Sequence, residues 1–175
     1  NFGFKREAEE WWEQILAKNE LIAAQNRGWF KGRNILALNL MSSPGSGKTT
    51  LLTRTINDLK NKLPISEIEG DQETINDAKK IEATGCKVVQ INTGTGCQLD
   101  ALMVEKGLQK LNPNLDSVVA IENVWNLVCP ALFDLDKCIE YARIVNSDIQ
   151  IFIVSAITGE GLDDWYRWLE MQVKN

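Results

Sequence analysis

The sequence predicts an α/β fold in which a mostly parallel, doubly wound sheet follows an N-terminal amphipathic helix. Short apolar runs alternate with stretches of helical periodicity along most of the 175 residues, which is the pattern of βαβ units. In the first run, Ile35–Leu38, every residue is apolar. Consecutive apolar positions are typical of a parallel strand that is buried on both faces of its sheet.

The N-terminal helix is predicted from the spacing of apolar residues across Glu7–Phe30, where mostly polar and charged residues occupy the positions between them. This spacing is typical of an amphipathic helix, and Gly28 and Gly32 mark its end. We therefore divide the chain into an N-terminal helical segment, residues 1–33, and an α/β domain, residues 34–175.

Five strands and five further helices are predicted within the α/β domain. The strands are Ile35–Leu40, Ile65–Glu69, Cys86–Ile91, Ser117–Ile121 and Ile149–Val154. The helices are Thr49–Leu63, Glu73–Ala83, Leu99–Leu111, Lys137–Val145 and Leu162–Val173. We expect the tryptophans on helices to pack rather than to take part in chemistry: Trp11, Trp12, Trp165 and Trp168.

Composition excludes several classes of protein. The net charge of −5 argues against nucleic acid as a partner. No apolar run reaches the roughly 18 residues that a membrane span needs, and residues 1–10 lack the basic start and apolar stretch of a signal peptide. The sequence thus favours a cytoplasmic protein with neither a nucleic-acid partner nor a membrane partner.

Cysteine and histidine usage limits the chemistry further. The chain has 4 cysteines and no histidine, so imidazole catalysis and imidazole metal ligands are excluded. The cysteines show no CxxC spacing, which favours reduced thiols in a cytoplasm. Any metal site would have to use thiolate, carboxylate or amide ligands.

A phosphate-binding loop is predicted at residues 42–49, S-S-P-G-S-G-K-T, between the first strand and the helix after it. That context is what a P-loop requires, and it makes a chance Gly/Ser turn much the weaker interpretation. Lys48 would reach the β- and γ-phosphates, and the Thr49 hydroxyl would ligate Mg²⁺. The predicted phosphate-binding residues are Gly45, Ser46, Gly47, Lys48, Thr49 and Thr50.

Two acidic residues follow strands of the predicted sheet. Asp71 comes after the second strand and Glu122 ends the fourth, at the sheet edge where such folds bind ligands. Asp71 would hold Mg²⁺ or orient the attacking water, and Glu122 would be the second acidic Mg²⁺ group. The alternative for each is a solvated loop acid or a helix cap. We predict Lys48, Asp71 and Glu122 as catalytic residues.

Four segments together resemble the hydrogenase and urease nickel-incorporation GTPases, above all the hydrogenase accessory GTPases. They are N-L-M-S-S-P-G-S-G-K-T-T at 39–50, E-G-D at 69–71, Q-I-N-T-G-T-G-C at 90–97 and E-N-V-W-N-L-V-C-P at 122–130. The resemblance covers nearly the whole chain. It implies a P-loop NTPase fold, GTP hydrolysis, a GTP-dependent homodimer, and nickel delivery together with a hydrogenase maturation partner protein.

The resemblance also implies two further sites. A nickel or zinc ion would be bound at the dimer interface by Cys97 and Cys129, whose alternative role is that of small buried apolar residues. For Cys86 and Cys138 that buried apolar role is the preferred interpretation. Ser155 and Ala156 would contact the guanine base.

The sequence departs from the family pattern at several positions. Gln98 stands in place of the histidine of a Cys-His pair, Trp125 in place of a glycine, and Ile157 in place of a lysine. The Asn-Lys-x-Asp guanine motif is missing, and only 18 residues separate Pro130 from Ile149, where the family has a longer stretch. Two alternatives therefore stay open: a nucleotide-binding protein without base selectivity, and a non-catalytic metal-binding dimerisation module.

Overall fold

The computed structural model describes residues 2–42, 45–70, 75–93, 99–124 and 135–174. Their order is α1 (Phe2–Gly32), β1 (Ile35–Ser42), α2 (Lys48–Leu59), β2 (Ile65–Glu69), α3 (Ile75–Glu82), β3 (Lys87–Gln90), α4 (Ala101–Leu111), β4 (Ser117–Val124), α5 (Leu135–Val145) and α6 (Leu162–Lys174). The predicted α/β fold is confirmed. No helix in these ranges has the length and apolar character needed to cross a membrane.

The sheet of the described residues has four strands in the order β1-β4-β2-β3, and every neighbouring pair is parallel. Its centre is the β4 run Val118, Val119 and Ala120, which is at most 1% exposed. Strands covered on both faces need consecutive apolar residues, as this run has. Because the strands are parallel, their carboxyl ends lie at one edge, next to the start of α2.

Helices cover both faces of the sheet, as the doubly wound prediction required. On one face, α1 and α4 contribute Phe30, Leu108 and Leu111 to a cluster with the strand residues Ile35, Ile68, Val119 and Ile121. On the other face, α2 and α6 contribute Leu59, Leu169 and Val173 to a cluster with Val118, and Leu52 and Ile56 of α2 pack with Ile81 of α3 and Ala120.

The connection from α1 to β1 is fixed by one asparagine. Asn34 has φ +52°, a left-handed conformation that asparagine adopts more readily than most residues. Its Nδ2 donates to Oδ1 of Asp116 at 2.7 Å and to the carbonyl of Val173 at 2.6 Å. Asn34 therefore joins the ends of three elements far from the phosphate loop; the division of the chain at residue 33 stays a prediction.

The predicted strand Ile149–Val154 is wrong, because this segment makes no ladder with the sheet of the described residues. Its aromatic side chain packs on α6 instead: the Phe152 ring lies 5.8 Å from the rings of both Trp165 and Trp168, which stack on each other at 5.4 Å. An apolar run becomes a strand only where a neighbouring strand supplies hydrogen bonds. Here Phe152 packs on a helix, while Ile149 and Ile153 remain exposed. The packing role predicted for Trp165 and Trp168 is confirmed.

The burial predicted for Cys138 is also wrong. Cys138 is exposed, and no residue of its helix α5 is buried. The apolar side of α5 is uncovered within the described part of the chain, with Tyr141 63% and Ile144 71% exposed. Helical periodicity predicted a core-facing side, but periodicity does not say whether another element is present to cover it.

Candidate functional site

The loop between β1 and α2 has the backbone geometry of a phosphate cradle. Gly45 and Gly47 have φ +75° and +91°, which only glycine adopts without strain. Gly47 is also the N-cap of α2, and no side chain caps the helix there. The free N–H groups and positive dipole end of the first turn therefore point at this loop, an arrangement that favours bound phosphate.

Lys48 is held at the carboxyl edge of the sheet by two oxygen atoms. Its Nζ donates to the carbonyl of Ser42 at 3.3 Å and lies 3.8 Å from Oε1 of Glu122. The side chains of Lys48 and Glu122 are only 14% and 9% exposed. Ser42 and Ser46 hydrogen-bond through their hydroxyls, which closes the loop beside the ammonium group. The structure thus brings together the phosphate loop and one of the two predicted acids.

Glu69 is a second buried acid at the same edge, and the sequence analysis assigned it no role. It pairs in register with Glu122 and is 2% exposed. Register partners on parallel strands lie on one face, so both glutamates lie on the α2 side of the sheet with Leu40, which also pairs with Glu122. The available signal was a charged residue at the end of a buried strand, since such residues are almost never buried without a partner or a function.

Asn123 is a further polar residue that sequence reasoning missed. It is 7% exposed; its Oδ1 accepts from the Leu99 N–H at 3.0 Å, and its Nδ2 donates to Oδ1 of Asn39 at 2.7 Å. The neighbouring Glu122 carbonyl accepts from the Gly70 N–H at 3.0 Å. Main-chain and amide hydrogen bonds therefore join the ends of three strands and the start of α4.

Ser155 opens a tight turn that packs beside α2. The Ser155 N–H donates to the Glu160 carbonyl at 2.9 Å, and the Gly159 N–H donates to the Ser155 carbonyl at 2.8 Å. A Cβ on Gly159 would lie 3.7 Å from Nη2 of Arg54, in the second turn of α2. The contact of Ser155 and Ala156 with a guanine base stays a prediction.

The remaining predicted site residues, Asp71, Cys97 and Cys129, lie outside the described residues, as do Gln98 and Trp125. Over the ranges that are described, no group of three or more cysteine, aspartate and glutamate side chains is arranged to hold a metal ion. Thr49, in the first turn of α2, and Glu122 offer the hydroxyl and carboxylate oxygens that Mg²⁺ prefers.

Cys86 lies just before β3 and is a poor candidate for metal or redox chemistry. Its thiol donates to the Ile65 carbonyl at 3.2 Å. Burial, and secondarily the negative charge of Glu67, raises the pKa of the Cys86 thiol to about 12. The thiol is therefore neutral throughout the physiological range. Cys86 itself is half-buried, so the burial predicted for it is only partly met.

The exposed thiol of Cys138 and the partly buried thiol of Cys86 should react with an alkylating reagent at different rates. With Cys97 and Cys129 changed to alanine, iodoacetamide at pH 8.5 should alkylate exposed Cys138 at least about 100-fold faster than Cys86, because only thiolate reacts and burial suppresses it. Raising the pH should speed the reaction of Cys86 until the pH passes its raised pKa. Mass spectrometry of quenched samples measures both rates, and equal rates would contradict the buried thiol.

The sequence and the fold have clear relatives. Residues 36–171 match the family described as CobW/HypB/UreG, nucleotide-binding domain. Hydrogenase maturation factor HypB of Escherichia coli (strain K12) is 42% identical over 204 residues, which cover 90% of this chain and 70% of the relative. HypB of Rhizobium leguminosarum bv. viciae is 44% identical over 205 residues, covering 91% of this chain and 69% of the relative.

Two solved structures share the fold. The crystal structure of HypB from Archaeoglobus fulgidus superposes with a TM-score of 0.77 at 26% identity and covers 90% of this chain and 99% of that chain. HypB from Helicobacter pylori in complex with nickel superposes with a TM-score of 0.76 at 26% identity, covering 90% of this chain and 95% of that chain.

The alignment with the Escherichia coli relative also contains a gap. It extends over 204 residues but takes in 90% of this chain, which is about 158 of its 175 residues. Roughly 46 residues of the relative therefore have no counterpart here, in keeping with the short stretch noted in the sequence. The matches to the family and to these relatives extend over most of both chains, and the chain belongs to the CobW/HypB/UreG family of nucleotide-binding domains.

Proposed function

We propose that this protein is a GTP-binding and GTP-hydrolysing metallochaperone that assists nickel insertion during hydrogenase maturation in the cytoplasm. The observation that carries the proposal is the position of the Lys48 ammonium group, between the Ser42 carbonyl and the Glu122 carboxylate at the mouth of the phosphate loop. The HypB relatives, named as hydrogenase maturation factors, supply the biological context.

Phosphate binding follows from charge and backbone geometry. A triphosphate entering the loop meets the free N–H groups at the start of α2 and the ammonium group of Lys48. Its negative charge competes with Glu122 for that ammonium group, so Lys48 would exchange a carboxylate partner for the β- and γ-phosphates. The lysine then offsets the charge that develops on the γ-phosphate as water attacks.

The acidic residues would complete the hydrolytic site. The Glu122 carboxylate would orient a cation or a water when Lys48 turns to phosphate, with Asp71 as the other predicted acid. Mg²⁺, when bound with Thr49, Asp71 and Glu122, would supply neutralisation of the β- and γ-phosphate oxygens. We propose slow turnover, because the sequence offers no identifiable arginine finger to stabilise the transition state.

The cargo site would be formed by thiolates. Cys97 and Cys129 would bind nickel or zinc, and two protomers of a nucleotide-dependent homodimer would offer four such ligands. Thiolate suits both metals, whereas Gln98 is a weak ligand for either. The bound ion would pass to a hydrogenase maturation partner protein.

Nickel binding tests the metal role directly. The Cys97→Ala/Cys129→Ala double variant should lose at least about 100-fold in nickel affinity, because thiolate ligands are removed. Equilibrium dialysis with nickel and, in parallel, zinc measures the loss and identifies the metal. Cys138→Ala is the matched control, since Cys138 is exposed on α5. Unchanged nickel affinity in the double variant would rule out the assigned ligands.

A nucleotide-binding protein without base selectivity is the second candidate. It is favoured by the roughly 46 residues of the Escherichia coli relative that have no counterpart here, because the missing guanine motif would belong to that stretch. Phosphate contacts would persist in such a protein while base recognition is lost. Dissociation constants for GTP and ATP separate the two candidate functions. A tenfold preference for GTP excludes the protein without base selectivity, and equal constants for GTP and ATP exclude guanine selectivity.

A further inference from the structure

A cavity of about 220 Å³ opens at the amino-terminal edge of the sheet, opposite the phosphate loop. It lies where β2 and β3 begin, and its wall includes Lys60 at the end of α2, Ser66 on β2 and Lys87 on β3. Because α2 has 12 residues, its two ends are about 18 Å apart. The cavity is therefore a separate place from the phosphate loop, at the other end of the same helix.

The side chains of the cavity wall carry positive charge. Of the described residues that line it, Lys60 and Lys87 are cationic and none is acidic. Glu67, whose negative charge acts on the Cys86 thiol, is 1% exposed and is not part of the wall. The lining residues therefore favour an anion.

Helix dipoles act in the opposite direction, but they are weaker. The carbonyl ends of α2, α3 and α4 lie at this edge, and each helix end carries about half an elementary negative charge. Turns already bond some of these carbonyls: Ile56 accepts from the Lys60 N–H at 2.8 Å, and Glu82 accepts from the Gly85 N–H at 2.9 Å. The two full charges of the lysines thus outweigh the three helix ends.

One hydroxyl in the wall has no partner. Ser66 is 6% exposed, and its Oγ makes no hydrogen bond within the described part of the chain. The other two wall hydroxyls are engaged, since Thr84 donates to the Ile81 carbonyl and Ser117 to the Asn114 carbonyl, both at 2.6 Å. A buried polar group of this kind calls for a water or a ligand, and rotation about the Cα–Cβ bond of Ser66 would turn its hydroxyl to the cavity.

The size and the remaining wall limit the ligand further. Much of the wall is apolar, with Ile56, Leu63, Pro64, Ile65 and Pro113. The volume is below the roughly 300 Å³ at which pockets for drug-sized ligands begin, so a nucleoside triphosphate is too large for it. The cavity fits a small molecule that has an apolar body and an anionic group.

We propose that this cavity binds the phosphate group of a small monoester with an apolar body, held by Lys60, Lys87 and the Ser66 hydroxyl. A phosphate monoester carries a charge of about −1.5 to −2 at pH 7, which matches two lysines. Lysine binds phosphate as a point charge, whereas the planar group that best matches a carboxylate is the arginine guanidinium. The site is independent of the proposed function, because it needs neither nickel nor a bound nucleotide.

Phenyl phosphate is the probe, with inorganic phosphate and benzoate as comparisons. It is titrated into ¹⁵N-labelled protein with saturating GDP, and NMR locates the binding. The amide signals of residues 65–66 and 84–87 should shift, and those of residues 45–50 should not. Phenyl phosphate should bind at least about fivefold more tightly than inorganic phosphate, because only the ester buries an apolar body. Benzoate, with a single charge, should bind more weakly than phenyl phosphate.

Three variants test the assigned side chains. Lys60→Ala/Lys87→Ala should weaken phenyl phosphate binding at least about tenfold, because two charge-assisted contacts are lost. Lys62→Ala/Lys106→Ala is the matched control: it removes the same charge from exposed lysines outside the cavity, and the affinity should stay within about twofold. Ser66→Ala should weaken binding about threefold without lowering Tm, since the hydroxyl has no partner in the protein to lose.

Each other outcome overturns part or all of the proposal. Absence of shifts at the cavity with millimolar phenyl phosphate overturns it, as does binding that survives in Lys60→Ala/Lys87→Ala or falls equally in the Lys62→Ala/Lys106→Ala control. Equal affinities for phenyl phosphate and inorganic phosphate would overturn the apolar body and leave free phosphate as the ligand. Benzoate binding as tight as that of phenyl phosphate would overturn the phosphate group.

Failure of the proposed function gives a different result. A protein that binds no GDP overturns the proposed function alone, because the signals of residues 45–50 then report any phosphate in the loop separately from the cavity.

Discussion

Replacing Lys48 with alanine should weaken GTP binding at least about 100-fold and reduce hydrolysis to background. Lys48 is the cation that the described structure places at the mouth of the phosphate loop, 3.8 Å from Glu122, and charge-assisted contacts to phosphate are the strongest hydrogen bonds available there. A hundredfold loss corresponds to about 2.7 kcal/mol. Titration calorimetry with GTP and ATP, followed by phosphate-release assays, measures both effects.

Lys60→Ala is the matched control for that experiment, because Lys60 caps the opposite end of the same helix. The Lys60→Ala variant should leave nucleotide binding unchanged.

The Lys48→Ala variant also leaves the buried carboxylate of Glu122 without the ammonium group of Lys48, which can cost several kcal/mol of stability. Melting temperatures must therefore accompany the titrations. If folded Lys48→Ala binds GTP as the parent does, the loop is not the nucleotide site. Lys48-dependent hydrolysis would exclude a non-catalytic module.

The parts of the site that could be predicted from sequence are those fixed by local chemistry. Gly45, Gly47 and Lys48 follow a buried strand and begin a helix, so their roles depend on residues within one loop. Glu69 and Asn123 reach the site through contacts with remote segments. Glu69 on β2 pairs in register with Glu122 on β4, and Asn123 on β4 accepts from the Leu99 N–H. For Glu69 the local signal was a charged residue at the end of a buried strand, whereas the pairing of Asn123 with a remote segment left no local pattern.

The errors in the predicted fold have the same origin. Ile149–Val154 has the composition of a strand, but a strand also needs an unpaired neighbour in the right position. β1 is an edge strand of the described sheet with one unpaired side, but the segment forms no ladder with it. Its Phe152 ring packs on Trp165 and Trp168 of α6 instead. Periodicity in α5 likewise predicted a buried side that no described element covers.

The turn predicted to face the base depends on one glycine, Gly161, and its replacement should cause a large loss of stability. Gly161 has φ +71°, and a Cβ there would overlap the carbonyl oxygen of Ile153. Alanine would need a left-handed conformation, costing about 1–2 kcal/mol, and would also force apart two backbone segments joined by the Ser155–Glu160 hydrogen bond.

We expect Gly161→Ala to lower the free energy of unfolding by at least about 3 kcal/mol, which for a chain of this size lowers Tm by roughly 6–12 °C. Gly85→Ala separates the two causes: Gly85 has φ +86° but open space around it, so only the conformational cost applies and Tm should fall by roughly 2–8 °C. Calorimetric melting compares them. Equal losses would show that the Ile153 carbonyl yields freely and that the Ser155 turn rearranges without unfolding the protein. A larger loss in Gly161→Ala would show that the Ile153 backbone resists displacement and holds the turn in place.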